Sequence, residues 1–203
     1  MINISQIFSE YKVIPIINCS NIDELDNKIE ILNEIDYKIF EIVIRNENSI
    51  NLIEYAKNKY DDFIIAAGTV LNAETMDIVS KLGVDLIISP GSSKKLIDFS
   101  KTINIPYIPA AATVTEIQNL IDEGFKFIKL FPISLLGGVD FLKAIDSIYK
   151  NTEVKFILTG GINLKNYKDY LGFNSVLGFS TSSFFEKNIL LKKRKNLKKY
   201  LIK

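Results

Sequence analysis

Residues 107–132 read YIPAAATVTEIQNLIDEGFKFIKLFP, and three local patterns follow one another in this stretch. The apolar residues 107–112 predict a strand, Thr113 is a typical N-cap for a helix over residues 114–123, and Gly124 is a typical helix stop. Residues 125–132 are a second apolar run of strand length. A strand, a helix and a strand in succession predict two parallel strands joined by a crossover helix.

The same alternation extends through the chain, after a short helix over residues 4–11. The strands are predicted at residues 12–18, 39–45, 63–70, 86–89, 107–112, 125–132, 155–159 and 175–179, and the helices at residues 23–36, 49–60, 72–83, 93–103, 114–123, about 139–149, 164–171 and in the last segment. Eight strand-helix units without a linker predict an α/β fold, a (β/α)8 TIM barrel, as a single domain over residues 1–203. A doubly wound open sheet is the alternative, but the Asn-Cys-Ser sequence at residues 18–20 lacks the glycine-rich turn usual after its first strand.

Composition limits the classes of function. The chain has no histidine, so the commonest metal ligand and proton shuttle are missing, and we expect no metal site. Cys19 is the only cysteine, which excludes an internal disulfide and favours a reducing compartment. Because the first twenty residues lack a secretory pattern and no stretch is apolar enough to span a bilayer, we expect a cytoplasmic protein with no membrane partner.

Charge is distributed unevenly along the chain. Residues 186–203 carry a net charge of +7, and residues 1–185 carry one of −6. Such a basic end could contact nucleic acid or a membrane surface. Leu190, Leu197 and Leu201 recur at helical spacing, however, and favour a last helix that docks on the body with its lysines in water. Because the body is acidic, we expect no nucleic-acid partner.

One lysine stands inside the apolar run at residues 125–132. Side chains alternate along a strand, so Phe127, Lys129 and Phe131 are expected to share one face. Desolvation on such a face lowers the pKa of the Lys129 amine and makes it a nucleophile that can form a Schiff base with a carbonyl. The structural alternative is a lysine that marks a strand edge or extends its amine to water.

The predicted second strand carries two charges on one face, Glu41 and Arg45, together with Ile39 and Val43. Active sites of (β/α)8 barrels lie at the carboxyl ends of the strands. Charges that point inward there are costly unless they have a partner or a task. An ion pair with neighbouring strands is the structural alternative to a catalytic role.

Polar and glycine residues also follow three other strands. Thr69 ends the third, Thr159-Gly160-Gly161 ends the seventh, and residues 180–183 (Ser-Thr-Ser-Ser) follow the eighth. Backbone N–H groups after strands seven and eight commonly bind phosphate in these barrels. A Gly-Gly pair alone is more often a simple turn, so its position after strand seven is what suggests a phosphate site.

Several motifs together resemble one known family, the 2-keto-3-deoxy-6-phosphogluconate aldolases, which are class I aldolases with a (β/α)8 fold. The resemblance covers about residues 13–185. Its motifs are FEIVIR at 40–45, AGTVLN at 67–72, ISPG at 88–91, Ile108-Pro109 with TVTE at 113–116, KLFP at 129–132 with Gly137-Gly138, and TGGI at 159–162. Their shared order and spacing make the resemblance specific.

The resemblance implies a role for each candidate site residue. Lys129 is implied as the Schiff-base lysine and Glu41 as the general acid-base. The residues implied for substrate binding are Arg45 and Thr69 at the carboxylate, Phe131 and Pro90 at the pyruvate pocket, Thr159 near the sugar hydroxyls, and Gly160, Gly161 and Ser182 at the phosphate. No cofactor is implied, and the expected partners are a small phosphorylated 2-oxo acid and two further copies of the chain in a homotrimer.

The sequence departs from the family pattern at two places on the pocket rim. Ser180-Thr181-Ser182 stands where family members usually carry Gly-Gly-Ser, and Ala110-Ala111-Ala112 replaces a segment with Gly and Ser. The expected reaction is cleavage of 2-keto-3-deoxy-6-phosphogluconate to pyruvate and glyceraldehyde 3-phosphate. The departures leave open the same chemistry on 4-hydroxy-2-oxoglutarate or on the galactonate epimer. A catalytically silent barrel and a metal-dependent aldolase are the rivals of other kinds, and the second fits poorly without histidine.

Overall fold

A computed structural model describes residues 3–163 and 165–186, in which strands and helices alternate. The strands are β1 Val13–Ile17, β2 Ile39–Val43, β3 Ile64–Gly68, β4 Leu86–Ile88, β5 Tyr107–Ile108, β6 Ala110–Ala111, β7 Phe127–Leu130, β8 Lys155–Thr159 and β9 Val176–Thr181. The α-helices are α1 Ile4–Glu10, α2 Ile22–Glu34, α3 Ser49–Lys59, α4 Ala73–Lys81, α5 Lys94–Ser100, α6 Val114–Asp122 and α7 Gly138–Tyr149. Two short 3-10 helices follow, at Tyr167–Asp169 and Ser182–Phe185.

The strands form a parallel barrel, as predicted. Their order is β5-β4-β3-β2-β1-β9-β8-β7-β6, and the two ends of this order belong to one predicted strand. That strand, over residues 107–112, is interrupted at Pro109, whose missing N–H cannot continue the ladder. Its first half pairs with β4 and its second half with β7, and the carbonyl of Pro109 accepts a hydrogen bond from the N–H of Lys129 at 2.8 Å. The fifth strand position therefore closes the barrel.

Side-chain caps begin three of the helices, among them the cap at Thr113 that the sequence predicts. The side chain of Asn21 caps α2 by accepting from the N–H of Glu24, and Asn72 caps α4 in the same way. At α6, Thr113 and Glu116 form a capping box. Each cap satisfies N–H groups that the first turn of a helix leaves unpaired, so local sequence sets where these helices leave the carboxyl ends of the strands.

One predicted helix differs from the structure, and a second lies on residues that the structure does not describe. The helix expected at residues 164–171 is only the 3-10 turn Tyr167–Asp169 within the described residues. The predicted last helix, with its basic residues, lies outside the part of the chain that the structure describes. Pro15, which is awkward in a central strand, lies within β1 beside Thr181, while the pairing of β1 with β2 begins only at Ile16.

Alternation along the strands divides the barrel into an outer and an inner layer. Outward residues pack on the helices, as when the ring of Phe156 meets that of Tyr149 in α7 with centroids 5.6 Å apart. At the amino end of the barrel, the fully buried ring of Phe8 lies against Gly178. No described helix is long and apolar enough to cross a membrane. At the opposite end of the barrel, the carboxyl ends of the strands carry polar residues.

Candidate active site

Lys129 lies on the inner face of the barrel. In the parallel register it is the neighbour of Ala110 and Ile157. Phe156 points outward to α7, so Ile157 points inward, and Lys129 beside it does the same. Its side chain is 4% exposed. The alternative of a lysine at an exposed strand edge therefore does not hold.

The surroundings of the Lys129 amine lower its pKa. Desolvation by burial is the largest cause, the positive charge of Arg45 acts in the same direction, and the negative charge of Glu41 partly opposes both. Nζ lies 5.3 Å from the ring centroid of Phe131, which places an aromatic wall beside the amine. A lowered pKa increases the fraction of neutral, nucleophilic amine near neutral pH.

The carboxyl group of Glu41 lies in the interior of the barrel. The residue is fully buried in β2, and neither carboxylate oxygen has a partner among the described residues. Its carboxyl group occupies the space beside Gly68 in β3, where a Cβ would lie 2.1 Å from Oε1. The interstrand ion pair that was the structural alternative is not formed within the described chain. A buried carboxylate without a partner is costly and is typical of a functional site.

Arg45 lies two residues beyond the end of β2 and is exposed. Its backbone N–H donates to Ser49 Oγ at 3.3 Å, which ties this segment to the start of α3. The guanidinium has no carboxylate within 4.0 Å among the residues that the structure describes. Because its charge acts on Lys129, the guanidinium can help hold an anionic molecule bound near the amine.

Thr69 and Pro90 follow the ends of β3 and β4, and both are partly exposed at the mouth of the barrel. Thr69 has a φ of 60°. A β-branched residue is rarely found in this left-handed region, and residues held there are often located at binding sites. The surrounding structure therefore imposes on Thr69 a conformation that its own side chain disfavours.

The turn after β8 packs on the segment after β7. The N–H groups of Ile133 and Ser134 donate to the carbonyls of Thr159 and Gly160 at 2.9 and 3.0 Å. Gly160 has a φ of 97°, and a Cβ there would lie 2.9 Å from Pro132 Cα, so only glycine fits. The N–H groups of Gly160 and Gly161 donate no hydrogen bond to a backbone carbonyl of the described residues. They remain available to an anion.

The turn after β9 is joined to this segment. Thr181 Oγ1 donates to the carbonyl of Ile162 at 2.7 Å and accepts from the N–H of Ser183 at 3.1 Å. Ser182, which begins the 3-10 helix Ser182–Phe185, is exposed at this rim. The structure thus brings the three predicted phosphate residues to neighbouring turns, whereas Thr159 lies deeper, 6% exposed.

Two further residues of the interior were not among the predicted site residues. Gly68 leaves room for the Glu41 carboxyl group. Ser180, beside Thr159, carries a buried hydroxyl that forms no hydrogen bond with a described residue. The sequence pattern places Ser180 after the eighth strand, on the pocket rim, because the predicted strand ends at residue 179. The structure extends β9 to Thr181, and the alternation along this strand turns Ser180 into the interior. Within the described residues no group of three or more acidic or cysteine side chains could hold a metal ion.

Comparison with known proteins gives consistent matches over most of the chain. The family model "KDPG and KHG aldolase" matches residues 4–199. The 2-dehydro-3-deoxy-phosphogluconate aldolase of Haemophilus influenzae is 30% identical over 89% of this chain and 84% of its own length. The KHG/KDPG aldolase of Escherichia coli K12 is 33% identical over 81% of this chain and 76% of its own.

Solved structures give the same result. KDPG aldolase from Legionella pneumophila, crystallised with pyruvate captured as a covalent carbinolamine intermediate, has a TM-score of 0.85 and 30% identity over 92% of this chain and 90% of its own. KDPG aldolase of Zymomonas mobilis with 3-phosphoglycerate has a TM-score of 0.82 and 26% identity over 89% and 85%. The barrel, the buried amine and these matches together show that this chain belongs to the KDPG and KHG aldolase family, a family of lyases.

Proposed function

We propose that this chain is a class I aldolase that cleaves 2-keto-3-deoxy-6-phosphogluconate to pyruvate and glyceraldehyde 3-phosphate through a Schiff base on Lys129. The observation that carries the proposal is a buried amine of lowered pKa that interacts electrostatically with one buried carboxylate and one guanidinium. The names of the relatives, which are KDPG aldolases and a KHG/KDPG aldolase, support the substrate.

The first half of the reaction captures the ketone. The guanidinium of Arg45 and the Thr69 hydroxyl bind the substrate carboxylate, since a planar guanidinium suits a carboxylate well. The neutral Lys129 amine attacks C2 to give a carbinolamine, and Glu41 transfers the protons that allow water to leave. The product is an iminium ion, whose positive charge is favourable beside the Glu41 carboxylate and the ring of Phe131.

The second half breaks the carbon chain. Glu41, directly or through water, takes the proton of the C4 hydroxyl as the C3–C4 bond breaks. The electron pair of that bond forms the C2=C3 double bond, the π pair of the C=N bond moves to the nitrogen of Lys129, and the products are the aldehyde and an enamine on Lys129. Glu41, directly or through water, then returns a proton to C3, and hydrolysis of the new iminium releases pyruvate and regenerates the amine. Pro90 and Phe131 line the pyruvate pocket, and Thr159 lies beside the hydroxyl groups of the substrate.

The phosphate is assigned to the turns after β8 and β9. The N–H groups of Gly160 and Gly161, which have no described partner, and Ser182 at the start of the 3-10 helix Ser182–Phe185 suit a phosphate at this rim. These turns lie closer to the mouth of the barrel than Thr159. A substrate with its ketone at Lys129 therefore reaches them with its phosphate end.

Reductive trapping tests the proposal. Borohydride added with pyruvate should add one reduced pyruvate adduct, which peptide mapping should place on Lys129. Lys129→Met should abolish the adduct. Lys126→Met is the matched control, because Lys126 precedes the same strand and pairs outward with Glu153 at 2.6 Å; it should trap as well as wild type. An unlabelled wild-type protein would contradict the proposal and favour a silent barrel.

Two related substrates are the alternative to this assignment. The family name includes KHG, or 4-hydroxy-2-oxoglutarate, and the galactonate epimer differs only in the configuration of one hydroxyl. Cleavage rates on the three acids separate these cases. We expect the phosphorylated acids to be preferred, because 4-hydroxy-2-oxoglutarate has no phosphate for Gly160 and Gly161 to bind.

We also propose that the enzyme works as a homotrimer in the cytoplasm, as the family resemblance implies. Sedimentation of the purified protein tests the first point, and fractionation of the source cells tests the second. A monomer at micromolar concentration would contradict the trimer without affecting the proposed chemistry at Lys129.

A further inference from the structure

Ser180 lies in β9 beside Thr159 of β8 and Ile14 of β1. The preceding residue, Phe179, points out of the barrel, where its ring packs on that of Tyr167 with centroids 5.7 Å apart. Neighbouring residues in a strand point to opposite faces. Ser180 therefore points into the barrel, on the same face as Thr159.

The hydroxyl groups of Ser180 and Thr159 thus lie on neighbouring strands in the interior. Ser180 is 1% exposed and Thr159 is 6% exposed, and neither hydroxyl forms a hydrogen bond with a described residue. Buried hydroxyls are normally paired, because burial without a partner destabilises the folded state. Ser175 has that normal arrangement: it is fully buried, and its Oγ donates to Asp146 Oδ1 at 2.6 Å.

The pair lies between the two ends of the proposed site. Lys129 is beside Ile157, and Thr159 is two residues further toward the mouth on the same face. Gly160 follows Thr159 directly, and Ser182 is two residues beyond Ser180. A molecule with its ketone at Lys129 and its anionic end at these turns must therefore pass the two hydroxyls with its middle carbons.

We propose that Ser180 is a specificity-determining residue that hydrogen-bonds the substrate hydroxyl on the carbon next to the one that becomes the aldehyde. This inference rests on the proposed function, since it needs a substrate that extends from Lys129 to the phosphate turns. A serine hydroxyl can donate to and accept from a substrate hydroxyl. Bound substrate would then supply a hydrogen-bond partner that no described residue provides for Ser180 Oγ.

A pair of acceptor aldehydes isolates this contact in the condensation direction. Glyceraldehyde 3-phosphate carries the hydroxyl, whereas 3-oxopropyl phosphate keeps the aldehyde and the phosphate but lacks it. At saturating pyruvate, Ser180→Ala should reduce the preference in kcat/KM for glyceraldehyde 3-phosphate by about tenfold, as for the loss of one hydrogen bond. Equal losses on both aldehydes, or no loss on either, would overturn the inference.

Thermal unfolding of two variants supplies a readout that a structural role would change. Ser180→Ala removes a hydroxyl that bonds to none of the described residues, so its Tm should equal or exceed that of wild type. Ser175→Ala breaks the bond to Asp146, so its Tm should fall while its aldehyde preference stays at the wild-type value. A fall in Tm for Ser180→Ala of the same size as for Ser175→Ala would mean that its hydroxyl is already paired, and would refute the inference.

Trapping with pyruvate and borohydride separates this inference from the proposed function. Pyruvate lacks the carbons that pass Ser180, so Ser180→Ala should be labelled at Lys129 as fully as wild type. If wild type is labelled but the aldehyde preference is unchanged in Ser180→Ala, only the role of Ser180 fails. If wild type is not labelled, the proposed function fails and the role of Ser180 fails with it.

Discussion

The carboxyl group of Glu41 occupies the space that a side chain at Gly68 would need, since a Cβ there would lie 2.1 Å from Oε1 and 2.7 Å from Cδ. We therefore expect Gly68→Ala to displace the carboxyl group from its place in the interior. If Glu41 transfers protons in the reaction, kcat should fall by about 10- to 100-fold, a part of what general acid-base catalysis contributes. Steady-state kinetics on 2-keto-3-deoxy-6-phosphogluconate measure this loss in kcat.

A second glycine provides the control for that substitution. A Cβ at Gly172 would meet nothing within 4 Å, so Gly172→Ala should keep the wild-type kcat. In Gly68→Ala, the steps in which Glu41 transfers protons should slow more than substrate binding weakens. A normal kcat in a folded Gly68→Ala protein would show that the place of the carboxyl group beside Gly68 is unimportant.

Substitutions at Thr69 separate the role of its hydroxyl group in substrate binding from the strain of its backbone. Its φ of 60° is disfavoured for any side chain with a Cβ. Thr69→Gly and Thr69→Ala both remove the hydroxyl and should raise KM alike, while Thr69→Ser should stay near wild type. Only Thr69→Gly removes the strain, so urea unfolding should find it about 1 kcal/mol more stable than Thr69→Ala.

The stability of Thr69→Ala relative to Thr69→Gly tests whether the positive φ is strained. If Thr69→Ala were as stable as Thr69→Gly, the positive φ would carry no cost at this position. If Thr69→Ser raised KM as much as Thr69→Ala, the hydroxyl group would not be the part of Thr69 that binds substrate.

The hydroxyl group of Tyr37 forms a polar contact that stabilises the barrel and not the candidate site. Its hydroxyl donates to the carbonyl of Val13 in β1 at 2.6 Å and is fully buried. Tyr37→Phe leaves that carbonyl unpaired, which should cost about 1–3 kcal/mol in the free energy of unfolding. Ser100→Ala, which removes a hydroxyl bonded to its own helix at Ile97, should cost less. Chemical denaturation compares the two, and equal losses would contradict the expectation.

Sequence patterns predicted the barrel because each unit carries its own local signals. The cap at Thr113 fixes where α6 begins, and strand alternation places Lys129 inward. The split at Pro109 was not predicted, since the apolar run over residues 107–112 does not show that its halves pair with different neighbours. The short 3-10 turn at Tyr167–Asp169 was not predicted either, because helical spacing alone does not set the length of a helix.

The candidate site was predictable where one residue carries its own chemical signal. A lysine in an apolar strand and a glutamate on an inward face are such residues, and Lys129 and Glu41 are both buried in the structure. Gly68 and Ser180 are different, because their importance depends on neighbours in other strands. Only the register between strands shows that Gly68 lies beside the carboxyl group of Glu41 and that Ser180 lies beside Thr159.

The charges near Lys129 predict opposite changes in its reactivity when each is removed. The charge of Arg45 lowers the pKa of the amine and that of Glu41 raises it, while desolvation has the largest effect and lowers it. The neutral amine is the reactive form, so its labelling falls as pH drops through its pKa. Arg45→Met should therefore move the labelling profile of Lys129 to higher pH, and Glu41→Gln should move it to lower pH.

Formaldehyde with cyanoborohydride measures these profiles without using the proposed carboxylate site, because formaldehyde is small and uncharged. Peptide mapping should follow Lys129 and, in the same digest, the exposed Lys150, whose profile should be the same in wild type and both variants. Since desolvation remains in both variants, Lys129 should stay reactive at a lower pH than the side-chain amine of a free lysine in each of them. Shifts in the same direction for both variants would mean that the two charges do not act on the amine as the structure indicates.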